Sequence, residues 1–89
     1  MSILLNISKI EQRVLHALAQ GGLIRHERDP RGRLMDVHCM TREGYRLSAC
    51  DILLFARLKR RGLIASQGGA PYRITREGLS AVRAQLNNR

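Results

Sequence analysis

Aromatic side chains are scarce: 89 residues carry no tryptophan, two tyrosines and one phenylalanine. A platform for stacking single-stranded bases needs several exposed aromatics, so that mode of nucleic-acid binding has little support. Long apolar runs are missing as well. The opening Met1-Ser-Ile-Leu-Leu5-Asn-Ile7 has no basic residue ahead of it and no small-residue cleavage site, so it reads as neither a secretory signal nor a membrane span, and its short apolar arm has no assigned role. Cysteine is limited to Cys39 and Cys50, which form neither a C-x-x-C pair nor a dense disulfide pattern. That usage points to reduced thiols in the cytoplasm, with a disulfide between the two left open.

The constellations of catalysis are also lacking. No Ser, His and Asp form a nucleophile elbow and no glycine-rich phosphate loop precedes a helix. Glu11, Glu27, Glu43 and Glu77 fall at cap or strand positions rather than pairing as acid and base. His38 beside Cys39, with His26 across the first turn, has no fourth ligand and fits no standard zinc spacing. His16, inside the first helical pattern, reads as a partly buried or surface histidine rather than a general base. No catalytic residue, no metal and no cofactor is expected, and the chain is expected not to be an enzyme.

What the sequence has in excess is positive charge. Sixteen Lys and Arg against seven Asp and Glu give a formal charge of +9, more than solubility alone asks of a small domain. Nucleic acid, or a protein surface that normally meets nucleic acid, leads the list of partners. Residues 1–89 suffice for one small domain but not for a core with a deep active-site cleft as well, so binding is the expected task.

A run occurs once in full and once altered. The second copy is Leu58, Gly62-Leu63-Ile64, a polar turn, then Thr75-Arg76-Glu77-Gly78; the first runs from Leu18 through Gly22-Leu23-Ile24 to Thr41-Arg42-Glu43-Gly44. A unit of roughly 40 residues repeated in this way raises the question of duplication, although caps and turns reuse such residues for local reasons. Ser8 and Glu11 make a capping box, and Ile10, Val14, Leu15 and Leu18 line one helical face, which predicts a first helix over residues 9 to 20, stopped by Gly21-Gly22. Residues 23–28, the turn Asp29-Pro30-Arg31-Gly32 and residues 33–40 read as a hairpin that buries Leu23, Leu34, Val37 and Met40, with imperfect alternation. Thr41 is expected to cap a short helical turn. Ser48, bracketed by Leu47 and Ile52 with Asp51 as acidic third residue, is expected to cap a second helix from Ala49 to Arg61, stopped by Gly62. A second hairpin follows over 63–66 and 71–74. Thr75 then caps a last helix with Ile74 and Leu79 as a staple and Leu79, Val82 and Leu86 on its buried face. The order is α-ββ-α-ββ-α: an α+β, winged-helix-like single domain of three helices and two β-hairpins.

The second block resembles the end of many winged-helix regulators, where a helix closing in Leu-x-x-x-Gly-Leu-Ile leads into a wing ending Tyr-x-Leu-Thr-x-x-Gly. Here the wing ends Tyr72-Arg73-Ile74-Thr75-Arg76-Glu77-Gly78. In that architecture the helix before the glycine lies in the major groove, yet Ala49-Cys50-Asp51-Ile52-Leu53-Leu54-Phe55-Ala56 offers none of the Arg, Lys, Asn or Gln that make bidentate base contacts. Leu54, Phe55 and Leu58 share one face while Ala49, Leu53 and Ala56 lie nearly opposite, so the second side either packs on the first helix or waits for a protein partner. Arg57, Lys59, Arg60 and Arg61, with Arg73 and Arg76 on the wing and its cap, are the candidate contacts to nucleic acid or a partner. Arg25, Arg28, Arg31 and Arg33 add charge along the first hairpin. All of these can neutralise phosphates or meet acidic protein surface without reading bases.

Glu11-Gln12-Arg13, Leu15-His16, Leu18-Ala19, Gly21-Gly22, Arg28-Asp29, Gly32, Cys39, Arg42-Glu43-Gly44, Cys50, Phe55 and Leu58 belong to a wider pattern. So do Leu63-Ile64, Pro71-Tyr72-Arg73-Ile74 and Val82-Arg83-Ala84-Gln85-Leu86 with Asn88-Arg89. Together they resemble the YjhX toxin family from about Asn6 to the end, most specifically in Pro71 to Ile74 and in Val82 to Arg89, which neither helix nor turn physics demands. The resemblance implies a bacterial cytoplasmic toxin of a toxin–antitoxin pair that inhibits DNA topoisomerase I, with an acetyltransferase-like antitoxin as its second partner. Non-specific phosphate contacts to DNA are a further partnership the charge allows, with direct binding left open, and no membrane partner is expected. The competing readings are a winged-helix transcriptional regulator that binds an operator directly and a small structural protein of a nucleoprotein complex.

Overall fold

Ser8 opens the first helix. Its Oγ accepts from the Glu11 amide at 3.1 Å while the Ser8 amide donates to Glu11 Oε1 at 2.9 Å, so two donors that the helix start would leave unpaired are satisfied reciprocally. The computed structural model describes residues 7–87, with side chains to residue 84. The arm Met1–Leu5, the side chain of Leu86 and the Asn88-Arg89 tail lie outside the described residues. Helix α1 (Lys9–Ala19) buries Glu11, Val14, Leu15 and Leu18. It ends in a Schellman turn in which the Gly21 amide donates to the Leu18 carbonyl and the Gly22 amide to the Ala17 carbonyl, both at 3.1 Å. The two glycines divide the work: Gly21 takes the left-handed φ of 109°. Gly22 lacks a positive φ, but a side chain there would meet the Met40 carbonyl oxygen at 2.5 Å.

Strands β1 (Leu23–Arg28) and β2 (Leu34–Met40) pair antiparallel, with Ile24 opposite Cys39 and Glu27 opposite Asp36. Asp29 holds the tip by accepting from the amides of Arg31 and Arg33 at 2.9 and 2.8 Å. The register then slips: Arg28 pairs with Leu34, leaving Met35 as the extra residue of a bulge. That slip accounts for the imperfect alternation in the sequence. It also corrects the expected core face, because Ile24, Val37 and Cys39 are the fully buried residues, whereas Leu23, Leu34 and Met40 are half-buried.

Thr41 does not begin a helical turn. Its Oγ1 accepts from the Tyr45 amide at 3.0 Å, and its amide donates to the Tyr45 carbonyl at 2.8 Å, closing a hairpin turn into a further strand, β3 (Arg46–Leu47), beside β2. Helix α2 (Ile52–Arg60) starts later than the sequence suggests, because Asp51 rather than Ser48 is its cap: the carboxylate accepts from the Leu54 amide at 2.8 Å. A charged acceptor at the positive helix end outcompetes a hydroxyl three residues earlier. The residues at the staple positions become Cys50 and Phe55, both buried.

The helix stops in a second Schellman turn, with Gly62 donating to the Lys59 carbonyl and Leu63 to the Leu58 carbonyl, each at 3.0 Å. Gly62 adopts φ 72° with no neighbour to clash with an added side chain. The Gly62→Val variant should therefore lose more than about 1 kcal/mol through backbone strain alone; a thermal melt superimposable on wild type would contradict this.

A short second sheet pairs β4 (Ile64–Ala65) with β5 (Arg73–Ile74). It is joined to the first sheet by one reciprocal pair: the Ile24 amide to the Tyr72 carbonyl at 2.9 Å and the Tyr72 amide to the Ile24 carbonyl at 2.8 Å. Helix α3 (Arg76–Asn87) is capped by Thr75, whose hydroxyl accepts from the Gly78 amide at 3.0 Å and donates to the Gly62 carbonyl at 2.7 Å. One side chain thus ties the end of α2 to the start of α3. The α3 residues closest to the core are Gly78 and Ala81, with Leu79 and Val82 half-buried. Phe55, Leu15, Ile24, Leu58, Val14, Val37 and Cys39 fill the centre, and Phe55 meets the Tyr72 ring edge-on at 4.8 Å.

Candidate functional site

Helix α2 divides along its length as well as around its axis. Leu54, Phe55 and Leu58 face the core, as the spacing predicts. The opposite side does not pack on α1: Leu53 is 75% exposed and Ile52 40% exposed, and the first turn of α2 presents bare hydrocarbon to solvent. Burying such side chains is worth about 1.5–3 kcal/mol apiece, a gain that the isolated domain leaves unrealised.

The last turn carries the cations. Arg57, Lys59, Arg60 and Arg61 are all exposed, as are Arg73 on β5 and Arg76 at the start of α3. The structure gives them different surroundings. Arg57 Nε lies 3.5 Å from Glu11 Oε2, a carboxylate whose side chain is only 5% exposed, so this arginine is the counter-ion of a buried acid. Lys59 Nζ sits over the Tyr72 ring at 5.8 Å, within range of a cation–π attraction. Arg73 Nη1 reaches the Gly21 carbonyl at a long 3.4 Å, touching the end of α1. Arg60 makes no hydrogen bond or ion pair among the described residues. The structure therefore sets Lys59 against the Tyr72 ring and Arg73, the next residue in sequence, against the end of α1, and it pairs Arg57 with the buried Glu11.

The acidic and histidine side chains gather elsewhere. On the outer face of the first hairpin, His38 Nε2 lies 2.9 Å from Glu27 Oε2 and 3.5 Å from Asp36 Oδ2. The pairing of Glu27 opposite Asp36, with His38 two residues along the same strand, puts the three on one face. His26 and Cys39 do not join His38 there. His26 Nε2 faces the Ala70 carbonyl oxygen at 3.4 Å and its ring meets Tyr72 edge-on at 5.3 Å, while Cys39 is in the core. The Glu27, Asp36 and His38 donor atoms lie within 4.8 Å of one another, a grouping that sequence reasoning missed because it depends on strand register. Exposed acidic side chains grouped in this way are common without a bound ion.

Cys39 and Cys50 are thiols, both buried. A hydrogen bond between their side chains pulls the Cys39 thiol below its ordinary range, and the same bond with burial pushes Cys50 far above it. No helix among the described residues is long and apolar enough to cross a membrane.

Residues 5–89 match a family model described as "Putative toxin of bacterial toxin-antitoxin pair". The chain is 62% identical over 85 residues to a UPF0386 protein of Parvibaculum lavamentivorans, covering 96% of this chain and 100% of that protein. It is 59% identical to a UPF0386 protein of Caulobacter vibrioides, with 96% and 93% covered. To one of Brucella anthropi it is 56% identical, with 96% and 100% covered. No solved structure gives a significant match.

Proposed function

The chain belongs to the YjhX toxin family of bacterial toxin–antitoxin pairs, and on that premise we propose that it acts in the cytoplasm as a non-catalytic inhibitor that binds DNA topoisomerase I. Membership of a toxin–antitoxin family brings an antitoxin partner with it; that the antitoxin is acetyltransferase-like, and that the target is topoisomerase I, is what the family resemblance implies. The observation that carries a protein target is the first turn of α2. A helix that reads DNA turns its N-terminal residues to base edges, and here those positions are the exposed Ile52 and Leu53, which have no donor or acceptor to offer. An exposed apolar anchor without charge is instead the composition found at the core of a protein-binding patch.

Relaxation of supercoiled plasmid by topoisomerase I tests the reading. The purified chain is expected to slow relaxation at stoichiometric amounts and to capture topoisomerase I from nuclease-treated lysate; full relaxation at several-fold molar excess of the chain would end the inhibitor assignment. The α2-glycine-hairpin order supports a second reading, a winged-helix regulator. A footprint on a defined sequence, with affinity that survives raised salt, would favour that reading.

A further inference from the structure

The bulge in the first hairpin turns one side chain, Leu34, out of the pattern of its strand. Alternation along β1 puts Arg28 on the face of the buried Ile24, and because Arg28 pairs with Leu34 while Met35 is skipped, Leu34 joins that face toward α2, opposite the outer face that holds Glu27, Asp36 and His38. Bulges often re-aim a side chain beside a functional site. Here the result is a cleft of about 430 Å³ between the hairpin tip and α2, lined by Arg28, Leu34, Phe55, Ala56, Lys59 and Arg60. Three of its six residues are cations, three are apolar and none is acidic.

We propose that this cleft binds the phosphodiester backbone of nucleic acid. The inference rests on the reading of the α2 cations as a contact surface and assigns part of that surface a ligand. A cleft lined by one sign of charge over low-dielectric walls focuses the field and concentrates counter-ions within it. The nearby carboxylates are occupied elsewhere: Glu27 and Asp36 with His38, Asp29 with the turn amides and Glu11 with Arg57. Arg28 is oriented by its 3.0 Å bond to the Gly32 carbonyl and Lys59 by Tyr72. Two arginines and a lysine over apolar walls suit phosphate oxygens, contacts that position a protein on nucleic acid without reading its sequence. A protein partner, by contrast, finds its apolar anchor at the other end of α2. The helix thus has a protein end and a phosphate end.

Fluorescence anisotropy with a labelled DNA duplex over a salt series tests this on the full chain. Each phosphate neutralised contributes about 0.9 to the slope of log K against log salt, so three cleft contacts contribute about 2.7, or about fortyfold in affinity for a fourfold rise in salt. The variant Arg28→Gln, Lys59→Gln, Arg60→Gln is expected to lose that share. Its control, Arg13→Gln, Arg46→Gln, Arg83→Gln, removes the same charge from exposed positions outside the cleft and is expected to keep the slope. Arg60→Gln alone, at a residue without partners among the described residues, guards against misfolding and should lower the slope by about 0.9. Equal losses in both triple variants, no binding by wild type at low salt, or equal displacement by polyglutamate and by unlabelled DNA would each overturn the proposal. If the same preparation still slows plasmid relaxation, the inhibitor reading survives that failure.

Discussion

Replacing Gly78 by alanine is expected to destabilise the protein by about 3 kcal/mol or more, although the same change in an exposed helix interior would stabilise it by about 1 kcal/mol. Packing decides the sign. A methyl group at Gly78 would run into the Leu63 carbonyl oxygen and come within 2.5 Å of Ile74 Cγ1. The carbonyl cannot yield cheaply, because it accepts from the Thr75 amide at 3.0 Å and sits directly after the turn that ends α2. Overpacking at the upper end of its range, about 3 kcal/mol, corresponds to a fall in Tm of about 12–24 °C for a domain of this size. Gly44 provides the comparison: it ends the same tetrapeptide, but φ is 96° and nothing lies within 4 Å of an added side chain. Gly44→Ala should therefore cost only strain, about 1–2 kcal/mol. A Gly78→Ala melt at or above wild type would show that helix propensity outweighs the contact with Leu63.

Reversing Arg60 and Arg73 to glutamate is expected to weaken inhibition of topoisomerase I at least about tenfold, or 1.4 kcal/mol of binding, with the melting curve unchanged. Among the described residues Arg60 has no partner to lose, and the 3.4 Å contact of Arg73 with Gly21 is too long and exposed to support much stability. Arg57 behaves differently. Its Glu11 partner is buried, and Glu11 Oε2 has no hydrogen bond, so Arg57→Glu would set two carboxylates against each other at the start of α1. That variant should lose about 1–3 kcal/mol of stability, and any loss of inhibition would be confounded with unfolding. Wild-type inhibition by the Arg60, Arg73 double reversal, titrated against the same enzyme, would show that the contact surface lies elsewhere.

The tetrapeptide Thr-Arg-Glu-Gly marks how far the sequence could be read. At 75–78 it caps α3, because the residues that follow, Leu79-Ser-Ala-Val82, continue a helical pattern with Ala81 and Val82 against the core. At 41–44 the same residues close a hairpin, because Tyr45-Arg46-Leu47 leads back along β2. Local chemistry offers Thr the same two roles, and the residues downstream choose between them. The shift of the α2 cap from Ser48 to Asp51 is similar: both residues can cap, and the buried pair Cys50 and Phe55 favours the later start. Helix existence, both glycine stops and the basic end of α2 were legible in periodicity and composition. The cleft was not, since Leu34 joins Arg28 on the face toward α2 only through a bulge, and no residue spacing announces a one-residue slip between paired strands.

The single pair of hydrogen bonds that joins the two sheets also constrains how the molecule comes into being. Ile24 and Tyr72 are more than half the chain apart, so the entropy of closing that loop has to be met before the pair contributes anything. Tyr72 in turn supplies an edge to Phe55 and a face to Lys59. A nascent chain that has not yet presented Tyr72 therefore lacks the joint, the aromatic contact at its centre and the seat of a cleft cation together. The toxin's binding surface is expected to mature late in synthesis, in one cooperative step, rather than strand by strand.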